Sequence, residues 1–416
     1  MRPLAWGRAR WDPPNALENA PFLRLRNEVM HYAWGSHTAL ADLLGRAAPS
    51  AEPEAELWMG AHPSAPSRVQ TDGGDVALDA WIARDPGGVL GAGVARRFDG
   101  RLPFLLKVLA VDRPLSIQAH PDLAQARAGF ARENEAGIPL DAPLRCYRDE
   151  NHKPELICAL TPFRALNRFR ETTEIVRGFR ALGAADLDPL IDALAERPDA
   201  DGMCAFFAGL MTLDPDARSR VIACAAARVD GSDEPALRWC ARLLAAHPGD
   251  VGALAPLLLN LVELAPGEAM FLPAGELHSY LEGVGIELMA SSDNVLRGGL
   301  TPKHVDVPEL LRTLTGRSGP VEVLRPRARS EGLADYDTPV SEFALSVLTV
   351  APGGGAAVSS RRGVEILLCT RGSVDLVAGA DVTPLARGDS ALVPASTGPY
   401  RVEGNGTLYR ASPGAA

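Results

Sequence analysis

Short apolar runs broken by glycine, proline and aspartate fill the chain from about residue 21 to residue 164. This rhythm predicts many short β-strands with a few helical pieces such as ADLLGRA, and it is typical of a β-sandwich or barrel. From about Thr172 the apolar positions recur at helical spacing, with Asp188 and Asp214 at expected helix N-termini. The helical spacing predicts helices as far as the segment VGALAPLLLNLVELAP. At Pro266 the β pattern returns and continues to the end of the chain.

These changes predict a mainly β protein with an α-helical insertion, divided into three domains. A chain of 416 residues exceeds the size at which a single core usually stops growing. Residues 21–165 together with 257–318 are expected to form one β domain, and residues 166–256 an all-α domain inserted into it. Residues 319–416 are expected to form a separate small β domain, in which VEILLCTRGSVDLVAG predicts a strand, a turn and a second strand.

Charge and cysteine content exclude several classes of partner and location. The net charge is -10 and no long basic tract occurs, which argues against nucleic acid as a partner. The six cysteines are scattered without a CxxC pair, as expected for reduced thiols in a cytoplasmic protein. The first residues lack the uninterrupted apolar stretch of a signal peptide, and no apolar segment reaches about 18 residues without a charge. We therefore expect neither export nor membrane insertion, and we leave the oligomeric state open.

Two polar segments lie at the ends of apolar, strand-like runs. In an extended SIQAHPD segment, Ser116, Gln118 and His120 point to one face, because alternate residues of a strand share a side. In NHKPELICAL the same rule places Lys153 and Glu155 on one face, with His152 on the other. Three polar groups on one face of a strand end predict a polar pocket, a metal site, or both.

A third segment, GEAMFLPAGELHSYLEG, has the spacing G-x5-P-x-G-x2-H, with Gly267, Pro273 and Gly275 preceding His278. The Pro and Gly predict a tight turn that directs the histidine back into a barrel. This spacing resembles the second motif of the cupin superfamily of jelly-roll proteins. The remaining histidines lack comparable neighbours and are interpreted as ordinary structural residues: His31, His37, His62, His247 and His304.

Cupins usually carry H-x-H and a glutamate in their first motif, and this chain offers Gln118, His120 and Glu155 in that place. With His278 they make four candidate ligands. Two imidazoles, one carboxylate and one amide oxygen suit a divalent ion such as zinc. A dication and one carboxylate would leave the site with a charge of about +1, which favours an anionic intermediate.

Longer segments resemble type I phosphomannose isomerases. The segments are YAWGSHTAL, ELWMGAHPSAPS, SIQAHPD, NHKPELICALTPF, PAGELHSYLEG and SDNVLRGGLTPKHVDVPELL, and the similarity runs from about Pro21 to Leu311. The resemblance implies interconversion of D-mannose 6-phosphate and D-fructose 6-phosphate through a cis-enediol. It also implies cupin jelly-roll barrels and one zinc ion per chain, held by the residues at the four positions already selected.

The resemblance further assigns residues to the reaction, which needs a proton shuttle and a cationic grip on the phosphate. The shuttle candidates are His152, Lys153, Glu287 and Asp293. Lys153 is attractive because a positive metal site nearby favours its neutral amine. Arg297 is expected to stabilise charge or hold phosphate together with Lys303. Further substrate contacts are expected from a hydroxyl, a lysine and two aromatic residues: Ser116, Lys107, Trp34 and Tyr280.

Two other functions fit parts of the same pattern. An iron oxygenase of the cupin class would use two histidines and a carboxylate, but a fourth ligand and a basic phosphate grip argue against it. A sugar-phosphate sensor would need no proton shuttle. In the last domain, Gly388 and Pro394 keep the G-x5-P spacing but Pro399 stands where the histidine would be. That domain is therefore expected to be cupin-like and free of metal.

Overall fold

The computed structural model describes residues 20–229 and 231–415, so the N-terminal segment discussed above for export lies outside the described residues. The described chain is mainly β, as predicted, with most of its long helices between residues 172 and 258. Its α-helices are α1 Ala39–Leu43, α2 Leu78–Arg84, α3 Pro86–Leu90, α4 Ala92–Arg97, α5 Leu123–Glu135, α6 Thr172–Arg180, α7 Asp188–Glu196, α8 Ala200–Met211, α9 Pro215–Val229, α10 Pro235–Ala246, α11 Ala255–Leu258 and α12 Val307–Thr313. None of these helices combines the length and the apolar character that a membrane crossing requires.

The strands form two sheets of ten strands each. The first sheet, called the site sheet, contains β2 Glu28–Met30, β3 Glu56–Met59, β6 Phe104–Val111, β7 Gln118–Ala119, β8 Glu155–Ala159, β9 Phe163–Phe169, β10 Leu259–Leu264, β11 Ala269–Leu272, β12 His278–Ala290 and β13 Leu296–Arg297. The second sheet contains β1 Leu23–Arg26, β4 Arg68–Val69, β5 Val76–Ala77, β14 Arg327–Ser330, β15 Leu333–Asp335, β16 Ala344–Val358, β17 Glu365–Ala378, β18 Asp381–Ala386, β19 Ser390–Val393 and β20 Tyr400–Ser412.

Strand β12 organises the site sheet because it pairs antiparallel with four other strands along its 13 residues. Its first residue, His278, lies opposite Gln118 of β7 on one side and Asn167 of β9 on the other. Farther along, Glu287 lies opposite Lys107 of β6. Directly opposed residues of antiparallel strands project to the same face of the sheet, so this register assembles polar side chains from distant segments.

Two predictions from the hydrophobic pattern are wrong. Residues 259–264, predicted as helix, form β10, because pairing with β9 along its whole length outweighs the helical spacing of the leucines. Residues 365–378, predicted as two strands and a turn, form the single strand β17. Its first half pairs with β19 and its second half with β18, with an irregularity after Cys369. The turn follows at residues 379–380 instead.

Of the two predicted helix N-caps, Asp214 is confirmed and Asp188 is wrong. The Asp214 carboxylate accepts hydrogen bonds from the backbone N–H groups of Asp216 and Ala217, so it caps α9 as predicted. Asp188 is instead the first residue inside α7. The Asp214 cap satisfies backbone donors that a helix leaves free at its N-terminus.

The two sheets pack through a shared core rather than through a polar linker. Strand β1, from the start of the described chain, pairs with β19 near its end, so the second sheet joins both ends of the sequence. One buried apolar cluster contains residues of both sheets, among them Leu106 and Leu368. At this interface the Tyr336 hydroxyl donates to the Gly267 carbonyl at 2.8 Å. The residue boundaries of the three domains remain predictions.

Candidate active site

Three of the four expected metal ligands converge at the end of the site sheet. His120 Nε2 lies 3.3 Å from Glu155 Oε1, and His278 Nε2 lies 3.4 Å from Glu155 Oε2. The three ligand atoms that could bind one ion lie within 4.8 Å of one another, and all three residues are at most 2% exposed. Gln118 is the cross-strand neighbour of His278, so its side chain projects to the same face.

The ligand atoms themselves favour a metal over a purely structural cluster. His120 Nε2, His278 Nε2 and Glu155 Oε2 are buried and make no hydrogen bond of acceptable geometry to any described residue. Leaving a buried polar atom unpaired costs about 1–3 kcal/mol, so three together need a partner. Two imidazoles and a carboxylate that converge in this way fit a divalent ion with nitrogen and oxygen ligands.

Both imidazoles are oriented by backbone carbonyls. His120 Nδ1 lies 2.7 Å from the Asn294 carbonyl oxygen, and His278 Nδ1 lies 3.3 Å from that of Glu276. A carbonyl only accepts, so each Nδ1 carries the proton and each Nε2 presents its lone pair to the centre of the cluster. Both imidazole rings are therefore held in the tautomer that metal binding requires.

The protonation states at neutral pH are also those that bind a metal. Burial, followed by the charge of Lys153, lowers the pKa of His120 to about 4, so the imidazole is neutral. Burial alone would raise the pKa of the Glu155 carboxyl, but Lys153 and His120 hold it well below its usual range. Lys153 Nζ lies 2.8 Å from Glu155 Oε1, which confirms that these two residues share a face.

Asn294 ties the loop before Glu155 to the loop that holds His120. Its Oδ1 accepts from the backbone N–H of Arg148 at 2.7 Å, and its Nδ2 donates to the carbonyls of Asp149 and Asn151, both at 2.8 Å. The side chain is fully buried. Asn294 thus positions two ligand-bearing segments at once, a role that the sequence pattern did not reveal.

We expect Asn294→Ala to weaken zinc binding by about 10- to 100-fold, the usual cost of removing a group that orients metal ligands. Competition against a chromophoric chelator measures this affinity. Asn405→Ala, at an exposed position of β20, is the control and should leave affinity unchanged. Equal zinc affinity for Asn294→Ala and the unmodified protein would contradict the positioning role.

Behind the metal cluster lies a buried charge network that the sequence only partly predicted. Lys107 Nζ lies 3.1 Å from Glu287 Oε2 and 3.3 Å from Glu56 Oε2, and the three side chains are nearly inaccessible. Burial would lower the pKa of Lys107, but the two carboxylates raise it above its usual value. The buried Tyr280 ring lies 6.0 Å from that of His278, and its hydroxyl has no hydrogen-bond partner among the described residues. Lys107 thus forms ion pairs with two carboxylates, whereas the Tyr280 hydroxyl makes no hydrogen bond of acceptable geometry to a described residue.

Two further shuttle candidates each contact a residue that was not selected from the sequence. Asp293 Oδ2 lies 3.3 Å from Nε2 of the buried His62, and this contact helps to lower the pKa of Asp293 against the opposing effect of burial. His152 Nε2 lies 2.8 Å from Glu342 Oε1, in the segment before β16. His62 was interpreted above as an ordinary structural histidine, and no local signal in the sequence distinguishes it.

Arg297 and Lys303 belong to a group of cations beside the metal cluster. Arg297 is the cross-strand neighbour of Gln118, which brings it to the edge of the metal cluster. Burial and then the charge of Arg148 lower the pKa of Arg297, and burial, Arg297 and Arg148 lower that of Lys303. Over residues 20–229 and 231–415, no ion pair joins these three cations to a carboxylate. Three unpaired cations in mutual range are suited to a polyanionic group such as phosphate.

The remaining expected substrate contacts are less distinctive. Ser116 is half-buried and precedes Ile117, whose backbone N–H donates to the carbonyl of Gly299, two residues beyond Arg297. The Trp34 ring stacks on Tyr32 with centroids 5.9 Å apart, and it packs against the apolar cluster that includes Tyr280. Both residues therefore lie on segments next to the site, and their contact with a substrate remains a prediction.

Comparison with known proteins matches both parts of the chain. The family description "Phosphomannose isomerase type I, catalytic domain" matches residues 22–172, and "Mannose-6-phosphate isomerase, cupin domain" matches residues 334–413. Mannose-6-phosphate isomerase of Escherichia coli K12 is 44% identical over 389 residues, 93% of this chain and 98% of that protein. The human enzyme of the same name is 35% identical over 403 residues, 88% of this chain and 92% of that protein.

Solved structures agree with these matches. A phosphomannose isomerase mutant from Salmonella typhimurium superposes with a TM-score of 0.90 at 41% identity, covering 95% of this chain and all of that one. A zinc-bound mannose 6-phosphate isomerase superposes with a TM-score of 0.89 at 41% identity and the same coverage. The match to a cupin domain, together with a buried His-Glu-His cluster at the site sheet, defines a metal-binding protein that contains a cupin domain. The chain belongs to the type I phosphomannose isomerase family.

Proposed function

We propose that this protein is a zinc-dependent aldose-ketose isomerase that interconverts D-mannose 6-phosphate and D-fructose 6-phosphate through a cis-enediol intermediate. The observation that carries the proposal is the convergence of His120, Glu155 and His278, with unpaired buried ligand atoms, next to cations that have no carboxylate partner among the described residues. One zinc ion per chain, with Gln118 as a fourth ligand, would supply electrophilic stabilisation of negative charge on the sugar oxygens. We further propose a cytoplasmic location.

We assign the phosphate grip to Arg297 and Lys303. The guanidinium offers a planar fork for two phosphate oxygens, and the ammonium adds a point charge. The turn between them contains Leu300, which adopts φ +55 and donates its backbone N–H to Asp250 Oδ2 at 2.7 Å. Asp250, at the end of the helical segment, therefore holds the turn that carries both cations.

We expect Asp250→Ala to raise the KM for mannose 6-phosphate by roughly three- to tenfold with little change in kcat, because one hydrogen bond is worth about 1 kcal/mol net. Steady-state kinetics measure both constants. Asp199→Ala removes a comparable cap, from the Gly202 N–H of α8, and is the matched control. A KM unchanged by Asp250→Ala would show that the turn does not depend on this carboxylate.

We assign the proton shuttle to Lys153 among the four candidates. Its ammonium contacts a proposed metal ligand at 2.8 Å, whereas Glu287 contacts Lys107, Asp293 contacts His62, and His152 contacts Glu342. In its neutral amine form, Lys153 would take the proton from carbon 2, become the ammonium, and then return the proton to carbon 1 on the same face of the enediol.

We also propose the finer architecture. The strands of the site sheet would form a cupin jelly-roll barrel around the metal centre, made of residues 21–165 and 257–318. Residues 319–416 would form a second, cupin-like domain without metal. The comparison supporting this is the cupin match over residues 334–413.

Incubation of the zinc-loaded protein with mannose 6-phosphate in deuterium oxide tests the proposal by NMR. We expect fructose 6-phosphate to form and, after many turnovers, deuterium to appear on carbon 1, because an enediol route exchanges the shuttled proton with solvent. Unphosphorylated mannose is the matched substrate and should react far more slowly. Fructose 6-phosphate without any deuterium would contradict the enediol, and the absence of fructose 6-phosphate would contradict the function.

A further inference from the structure

The C-terminal part of the chain reaches the segment that carries Lys153. His152 Nε2 and Glu342 Oε1 lie 2.8 Å apart although 190 residues separate them, and their side chains are 22% and 12% exposed. Such a short, mostly shielded contact between an imidazole and a carboxylate fixes the ring far better than an exposed pair does. The contact joins the two sheets at a point one residue away from the proposed shuttle.

Glu342 is itself held in place. Its neighbour Phe343 is fully buried in the core shared by the two sheets. The Phe343 carbonyl accepts from the Thr338 hydroxyl at 3.1 Å, and the Ser341 carbonyl accepts from the backbone N–H of Gly414 at 3.1 Å. The Ser341 hydroxyl donates to the second carboxylate oxygen of Glu342 at 3.2 Å. The carboxylate is thus presented from a rigid loop.

The other end of the contact is equally constrained. The His152 backbone N–H donates to Asn151 Oδ1 at 3.1 Å, and Asn151 Nδ2 donates to the Ser291 carbonyl at 3.1 Å. The next residue is Lys153, whose ammonium contacts Glu155. Within the described parts of the chain, His152 Nδ1 has no hydrogen-bond partner, so Glu342 alone fixes the side chain of His152.

We propose that Glu342 is a positioning residue of the isomerase site, acting through His152 to hold the segment that places Lys153. This inference rests on the proposed function, because its readout is isomerase turnover. It gives the C-terminal domain, which has no metal cluster among its described residues, an indirect part in catalysis. A shift of the shuttle by about 1 Å can cost up to about 100-fold in rate, so the contact matters for kcat rather than for substrate affinity.

A double-mutant cycle on the zinc-loaded protein tests this inference. We expect Glu342→Ala and His152→Ala each to lower kcat by about 10- to 100-fold with KM within about twofold. The double variant should be no slower than the worse single variant, since both remove one contact. Glu342→Asp should recover part of the kcat because it keeps the carboxylate.

Tyr336→Phe is the matched control, because it removes another hydrogen bond between the two sheets, to the Gly267 carbonyl at 2.8 Å. It should lower Tm while leaving kcat unchanged. If Glu342→Ala only lowers Tm, as a merely structural contact would, or if the two single losses multiply in the double variant, the inference is wrong while the proposed function stands. If the unmodified protein does not isomerise mannose 6-phosphate, the proposed function and this inference fail together.

Discussion

Glu155→Gln should abolish turnover. It should also lower zinc affinity by more than about 100-fold, which is the upper end of the usual cost of losing a group that only orients a metal ligand. Glutamine keeps the volume and one oxygen of the side chain but removes its charge. That carboxylate lies 3.3 and 3.4 Å from the two histidine nitrogens and 2.8 Å from the Lys153 ammonium. Without it, a dication would enter a buried site that contains a cation and no anion in contact. Zinc content by atomic absorption, together with a turnover assay, measures the change.

Glu263→Gln provides the matched control for this substitution. Glu263 also forms an ion pair, with Arg164 at 2.8 Å, but its side chain is 63% exposed and lies on β10. Exposed pairs contribute little, so this variant should keep its zinc and its activity. A Glu155→Gln protein that retains one tightly bound zinc would show that the carboxylate is not a ligand.

Lys153→Met should lower kcat by about 10²- to 10⁴-fold, the usual contribution of a positioned acid or base, while the protein still binds one zinc. Methionine fills nearly the same space without an amine. The KM for mannose 6-phosphate should change little, because Arg297 and Lys303 are proposed to hold the phosphate. Steady-state kinetics and zinc analysis of the same preparation measure the three quantities.

The combination of results decides what Lys153 does. A large loss of kcat with zinc and KM retained is the result for a proton carrier. A loss that appears mainly in KM would make Lys153 a phosphate ligand instead. Unchanged kinetics would show that Lys153 is not the proton shuttle. The remaining candidates would then be His152, Glu287 and Asp293.

The central cluster could be predicted from sequence because its chemistry is local. Gln118 and His120 are two residues apart at a strand end, Lys153 and Glu155 repeat that arrangement, and His278 follows a recognisable turn. In the first two cases the two-residue periodicity of a strand decides which side chains share a face. The structure places His120, Glu155 and His278 together and pairs Lys153 with Glu155.

What the sequence did not reveal depends on strand register and on contacts between distant segments. The pairing of β3 with β6 brings the Glu56 carboxylate into contact with the Lys107 ammonium. No local sequence pattern around Glu56 predicts this ion pair. The contacts of His62 with Asp293 and of His152 with Glu342 join residues separated by 231 and 190 positions in the numbering.

The secondary structure of residues 259–264 and 365–378 was predicted wrongly for a related reason. The leucines of residues 259–264 fit a helix or a strand equally well, and only the presence of β9 as a partner decides between them. In residues 365–378 the RGS segment resembles a turn, but β20 pairs with both halves and keeps the strand continuous. Tertiary pairing overrides local preference in both segments.

The most direct test of a zinc-dependent isomerase is the rate of conversion of mannose 6-phosphate to fructose 6-phosphate as zinc is titrated into metal-free protein. We expect negligible activity without metal and a linear rise that stops at one zinc per chain. Full activity in the metal-free protein, or no fructose 6-phosphate with one zinc tightly bound, would contradict the proposed function.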